Sequence, residues 1–269
     1  MKKILLGILF GSGLLASSPL LAQFLLPQYP VWEGFAFENK QAVASRETEK
    51  RFAHFLLHIV QQTPAQQAEQ ISALLAKAEQ HHATARFLTL AEKYLYDPNS
   101  PCRNDEQYLL FLQYASEKQL QEYVNNPRYQ KHYAMVQKNR IGNIATDFPF
   151  ITQMGNKSQL YDLHNRYILL FFHDPNCEEC QHMKQELENC HVTFAQKSVQ
   201  VVAVYIDDEV ELWQRATYPT DWLSVYAPEI DKRDIYDIKA LPTLYLLNID
   251  KRVIIKDGAI TDINKKLHE

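Results

Sequence analysis

The chain has 269 residues, 46% of them hydrophobic and 12% aromatic, which is room for one large or two ordinary domains with real cores. Its formal charge of −4 comes from acids and bases mixed along the chain, with no basic run after Lys2-Lys3, so nucleic-acid binding gains no support. Seven glycines are few, and neither GxGxxG nor GxxxxGK occurs, which argues against a glycine-rich nucleotide-binding loop.

The first 22 residues read as an export signal. Lys2-Lys3 is the positive start, Ile4 to Leu15 the apolar stretch, and Ser17-Ser18-Pro19 the break before Leu20-Leu21-Ala22. Cleavage after Ala22 would deliver the chain to the periplasm or cell envelope without stable membrane insertion. Retention as an anchor is the rival, since apolar character continues to Leu26. The first cysteine is Cys102, so lipid attachment at a mature N-terminal cysteine is not expected.

Residues 23–140 read as an all-α helical domain. Ser45 to Gln62 carries the stripe Phe52, Phe55, Leu56, Ile59. The next helix has a full start signal in Thr63, Pro64 and Gln66, then the stripe Ile71, Leu74, Leu75, Ala78. Further helices are expected over about Thr84 to Tyr96, Asp105 to Val124 and Arg128 to Asn139, with Asp97-Pro98-Asn99-Ser100-Pro101 as a strong turn. After Gly142 the period changes, and residues 141–269 read as an α/β domain. Asp147 to Ile151 is a short extended entry. Ile168 to Phe172, Val201 to Ile206 and Leu244 to Leu247 are short, nearly uninterrupted apolar runs that predict buried parallel strands. Helices are expected between them, over Cys177 to Cys190 and Glu209 to Ala216. Val253 to Ile255 is the last strand, and Thr261 is a candidate cap for a final helix.

The chemistry concentrates in Cys177-Glu178-Glu179-Cys180, which follows the first of those strands and opens a helix. Two thiols at this spacing can close a small disulfide ring, and Pro242 ahead of a later strand can wall it in; together these define a thioredoxin-like redox site. Cys177 belongs at the exposed helix start, where unpaired N–H groups and the helix dipole favour thiolate. Cys180 falls on the inward stripe Cys180, Met183, Leu187, Cys190, so it is the buried resolving thiol. Glu178 and Glu179 either disfavour the thiolate, giving a more reducing couple, or simply support the helix start. His173, Asp174 and Asn176 crowd the site as candidate proton carriers, or as solvent-facing loop residues. A cis bond at Leu241–Pro242 would expose the Leu241 backbone to a substrate chain.

Other chemistries fit less well. Haem attachment needs CxxCH, but Gln181 follows Cys180. Zinc on Cys177, Cys180, Cys190 and His191 fails because helical rise puts Cys190 about 15 Å beyond Cys180. A thiol peroxidase of the peroxiredoxin type would carry threonine where Asp174 stands. No metal and no cofactor is expected. Cys190 reads as a small core residue, and Cys102 as a packed loop thiol or a regulatory one.

The stretches Ala145 to Phe148, Leu169 to Cys180 and Ala240 to Leu244 resemble the thioredoxin-like domain of exported TlpA-type thiol–disulfide oxidoreductases. The chain as a whole is similar to secreted bacterial proteins that place a helical domain before such a module, with Ala91 to Pro101, Arg103-Asn104 and Asp207 to Trp213 adding to the likeness. The resemblance implies Cys177 as nucleophile, Cys180 as resolving thiol and Pro242 as the cis-proline. The reading that follows is an exported oxidoreductase that reduces disulfides in a protein substrate, with an electron-donating thiol partner. A non-catalytic scaffold of the same fold and a thiol peroxidase are the alternatives. Three positions depart from the family: Asn176 replaces a tryptophan, Glu179 a proline, and Phe171 the buried acid six places before the first cysteine.

Overall fold

A computed structural model describes residues 31–269. The export segment read over residues 1–22 lies outside the described residues. The helical region comprises α1 Lys40–Ala44, α2 Arg46–Ile59, α3 Pro64–Gln80, α4 Thr84–Ala91, α5 Asp105–Glu117, α6 Gln121–Val124 and α7 Pro127–Val136. Its helix starts follow from side chains that satisfy the first free N–H groups. Asn39, Ser45, Asn104 and Asn126 each accept such a hydrogen bond. Thr63 and Gln66 form the reciprocal box, with Pro64 at the first helical position. Phe52, Phe87 and Phe111 close around Leu74 and Leu88 in one core. Each such fully buried side chain contributes on the order of 1.5–3 kcal/mol.

Two of the expected helices are interrupted. Thr84 to Tyr96 changes at Ala91 into a π turn, Glu92–Tyr96. Asp105 to Val124 breaks after Glu117, where Gln119 takes φ +50°. Neither break involves Gly or Pro, so the sequence carries no breaker signal at either point.

The remaining chain builds a seven-stranded sheet in the order β2-β1-β5-β4-β3-β6-β7. The strands are β1 Pro149–Thr152, β2 Lys157–Gln159, β3 Tyr167–Phe172, β4 Val199–Tyr205, β5 Leu223–Tyr226, β6 Thr243–Asn248 and β7 Val253–Lys256. The helices are α8 Glu178–Asn189, α9 His191–Lys197, α10 Val210–Arg215, α11 Glu229–Lys232 and α12 Ile260–His268. Central β3 sends Ile168, Leu170 and Phe172 into one core. It sends Leu169 and Phe171 into the other, with Cys180, Leu187, Phe194, Ile263 and Leu267. The chain thus joins an N-terminal helical region to a thioredoxin-like α/β sheet.

Strand direction departs from expectation. β3 and β4 are parallel, but β6, read as parallel, runs antiparallel to β3, with Leu170 opposite Tyr245. A continuous apolar run reports burial on both faces, and an antiparallel strand in mid-sheet is buried on both faces as well. β5 had no sequence signal, being short and holding Ser224, whose hydroxyl accepts from buried Trp213 Nε1. Thr261 lies inside α12 and does not cap it; Ala259 holds the cap position with no side-chain bond. Gly142, at φ +86°, turns the chain out of the helices, and its N–H is bonded to the Val253 carbonyl.

Candidate active site

β3 ends at Phe172, and the loop His173 to Asn176 carries the chain to α8. Asp174 shapes that loop: its Oδ1 accepts from the Asn176 N–H at 2.8 Å, and its carbonyl accepts from the Cys177 N–H at 3.1 Å. Cys177 is therefore the N-cap of α8, and its half-buried Sγ accepts from the Cys180 N–H at 3.3 Å. A sulfur in this position receives the helix N-terminal N–H groups that serve anions. Cys180, one turn on, is 2% exposed and packed beside Phe171 and Leu187. Burial, reinforced by the hydrogen bond with Cys177, pushes the Cys180 thiol up to about 12.

The opposite wall is the loop before β6. Leu241–Pro242 is a cis bond, as the spacing predicts, and the Leu241 carbonyl lies 3.9 Å from Cys177 Sγ. Asn176, Glu178 and Glu179 are exposed, and Asp174 is half-buried. His173 is different. It is 3% exposed, stacked on Phe171 at 4.7 Å and set edge-on against Tyr218 at 5.4 Å. Burial, with the Lys184 charge adding to it, lowers His173 to about 4, so the imidazole is neutral. The solvent-facing reading of His173 is corrected accordingly: strand alternation puts it on the Phe171 face, under the Tyr218 ring. All four cysteines are free thiols. Cys190 is half-buried at the end of α8 and accepts from Asn264 Nδ2, and Cys102 is half-buried in the loop before α5.

A second set of side chains lies behind the Leu241 loop and had no local sequence signal. Lys239 Nζ sits 3.0 Å from Asp105, 3.0 Å from Asp237 and 3.8 Å from Asp257. Lys256 Nζ sits 3.0 Å from Asp105 and donates to the carbonyls of Val136 and Lys138. Arg103 pairs with Asp257 at 3.2 Å, and the Tyr96 hydroxyl donates to Asp237 at 3.2 Å. The lysine side chains are 3% and 4% exposed. Tyr96, Arg103 and Asp105 come from the helical region; the others come from the sheet. Burial alone would raise the Asp105 carboxyl, but Lys239 and Lys256 together hold it below the usual carboxylate range. No run of neighbours in sequence marks this cluster, because Asp105 and Lys239 are 134 residues apart.

Residues 165–253 match the thioredoxin-like family model, and residues 15–139 match a family described as a domain of unknown function, DUF5106. Among curated proteins, "Thioredoxin-like protein YneN" of Bacillus subtilis is 27% identical over 128 residues, 46% of this chain and 74% of that one. "Thiol-disulfide oxidoreductase ResA" of the same organism is 26% identical over 125 residues, 45% of this chain and 69% of that one. Among solved structures, a thioredoxin-like protein from Bacteroides caccae is 29% identical, covers 100% of this chain and 99% of its own, and superposes with a TM-score of 0.84. The chain thus carries a thioredoxin-like domain, with relatives named thiol–disulfide oxidoreductase, behind an added N-terminal helical region.

Proposed function

We propose that the protein reduces disulfides in exported polypeptides through Cys177 and Cys180. The observation that carries this reading is the helix start. Cys177 Sγ is capped by the Cys180 N–H, faces the Leu241 carbonyl and is within reach of solvent, while Cys180 is buried behind it. Cys177 thiolate attacks one sulfur of the substrate disulfide, and the other leaves as a thiolate that takes a proton. The mixed disulfide is then attacked by deprotonated Cys180, the second substrate thiol leaves, and the protein keeps the two-electron oxidation as a Cys177–Cys180 disulfide. An electron-donating thiol partner must reduce it again.

Leu241 and Pro242 are proposed as the docking strand for the substrate chain, since the Leu241 backbone stands beside the attacking sulfur. Export to the periplasm, with the helical domain beginning at residue 23, rests on Lys2-Lys3 and the apolar stretch after it. Among the described residues no helix is long and apolar enough to cross a membrane.

The test is reduction of a model disulfide, with a Cys180→Ala variant to trap polypeptides on Cys177. Turnover by the unaltered protein, and mixed disulfides lost in Cys177→Ser, are the expected results. No turnover would favour a scaffold, and consumption of hydrogen peroxide in its place would favour a thiol peroxidase.

A further inference from the structure

We infer that the helical region is part of the redox site: Asp105 and Tyr96 are positioning residues that hold the Leu241 loop against Cys177. This rests on the proposed docking role of Leu241. The segment from Asp237 to Thr243 is fixed at two ends. On the sheet side, Thr243 Oγ1 donates to the Ala240 carbonyl at 2.7 Å, and the Tyr245 hydroxyl donates to the Asp237 carbonyl at 3.3 Å. On the other side the helical region supplies Tyr96 and Asp105, beside Asp257 of the sheet part, 3.8 Å from Lys239 Nζ. The Tyr96 hydroxyl donates to Asp237 Oδ1, Lys239 Nζ donates to Asp105 Oδ2 at 3.1 Å, and Nζ also lies 4.7 Å from the centre of the Tyr96 ring. Lys239 is two residues before Leu241, so its hold reaches the carbonyl over at most about 7 Å of chain.

The cluster is balanced: Asp105, Asp237 and Asp257 face Arg103, Lys239 and Lys256. Charges this buried are screened little by salt, and moving Lys239 would part it from three carboxylates within 4 Å. The ion pairs therefore hold the loop in this place while the helical region is docked. An extended substrate chain pairing with the Leu241 backbone depends on that place. A small disulfide that only needs to touch Cys177 does not.

The test compares a polypeptide disulfide, insulin, with hydroxyethyl disulfide, using the full chain. Asp105→Asn should raise KM for insulin by about tenfold or more, as expected for a shift of a docking group by a fraction of an ångström. Its rate with hydroxyethyl disulfide should stay within about twofold of the unaltered protein, since that substrate makes no docking contact. Asp105→Glu, which keeps the charge, should recover most of the loss. Tyr96→Phe removes one hydroxyl and leaves the ring, so it should show the same split at about threefold and stands in if Asp105→Asn fails to fold. Equal losses on both disulfides, in step with lost folded protein, would make these residues merely structural and overturn the inference. Unchanged KM for insulin in both Asp105→Asn and Tyr96→Phe would overturn it too. An unaltered protein that reduces neither disulfide would overturn the proposed function itself, together with this inference.

Discussion

Glu178 and Glu179 stand within a turn of Cys177, exposed to solvent, at a helix end that contributes about half a positive charge. Two carboxylates oppose that end but are screened, so their net effect is small. Replacing both by glutamine should make the Cys177–Cys180 couple more oxidising by about 10–30 mV, read by equilibration with glutathione. An unchanged potential would leave them as ordinary helix-start residues. His173 makes a larger statement at the same scale. Held near 4 in the folded chain and near ~6.5 when unfolded, it binds a proton more readily once unfolded. Its contribution is therefore full above about pH 6.5 and is lost as pH falls toward about 4, up to roughly 3 kcal/mol. His132, lowered to about 4 by burial and by Arg128, adds in the same direction. Urea unfolding at pH 7 and pH 4.5 should show the loss, and His173→Phe should flatten it; an unchanged slope in that variant would refute the assignment. The Cys177–Cys180 pair announces itself within four residues, and the cis bond at Pro242 was legible from its place before a buried strand and its spacing from that pair. The burial of His173 was not, since it depends on the Tyr218 ring, which arrives 45 residues later.

Among the elements, the helix start at Thr63 was read well because a capping box is local chemistry, whereas the cap expected at Thr261 falls inside its helix. The Thr63 and Gln66 side chains each satisfy the other's backbone N–H. Thr63→Ala should lower stability by about 1 kcal/mol with no effect on disulfide turnover. A loss of turnover in that variant would tie α3 to the site in a way no contact suggests. Strand direction was read less well. The run Thr243 to Asn248 is buried nearly throughout, and burial carries no sign of direction. What turns β6 over is its pairing with both neighbours. It runs antiparallel to β3, and the short turn through Asp250 and Lys251 brings β7 back antiparallel alongside it. Such long-range partners leave no periodic trace.

At the scale of the whole molecule, the described residues form two apolar cores on the sheet and a third in the helical region, built largely on the stripes read from the sequence. The join between them is charged. Removing one member of a buried, balanced set leaves a charge without its partner, so Asp105→Asn should cost about 3–5 kcal/mol in unfolding experiments. Replacing several members together by apolar residues of similar volume should cost far less. If Asp105→Asn were within about 0.5 kcal/mol of the unaltered protein, the join would be wet rather than buried.

The make-up of that join also bears on inheritance. The helical region brings Arg103 and Asp105, one charge of each sign, and the sheet brings two lysines against two aspartates. Each half is neutral at its own face, so neither repels a stranger outright. Yet the pairs cross the boundary, and their geometry is individual. A chimera that grafts the helices of a distant relative onto this sheet should be made and remain soluble. It should fail to dock unless residues equivalent to Tyr96, Arg103 and Asp105 travel with the graft. A substitution at any of these positions should thus be tolerated best when the residue facing it across the boundary changes to match.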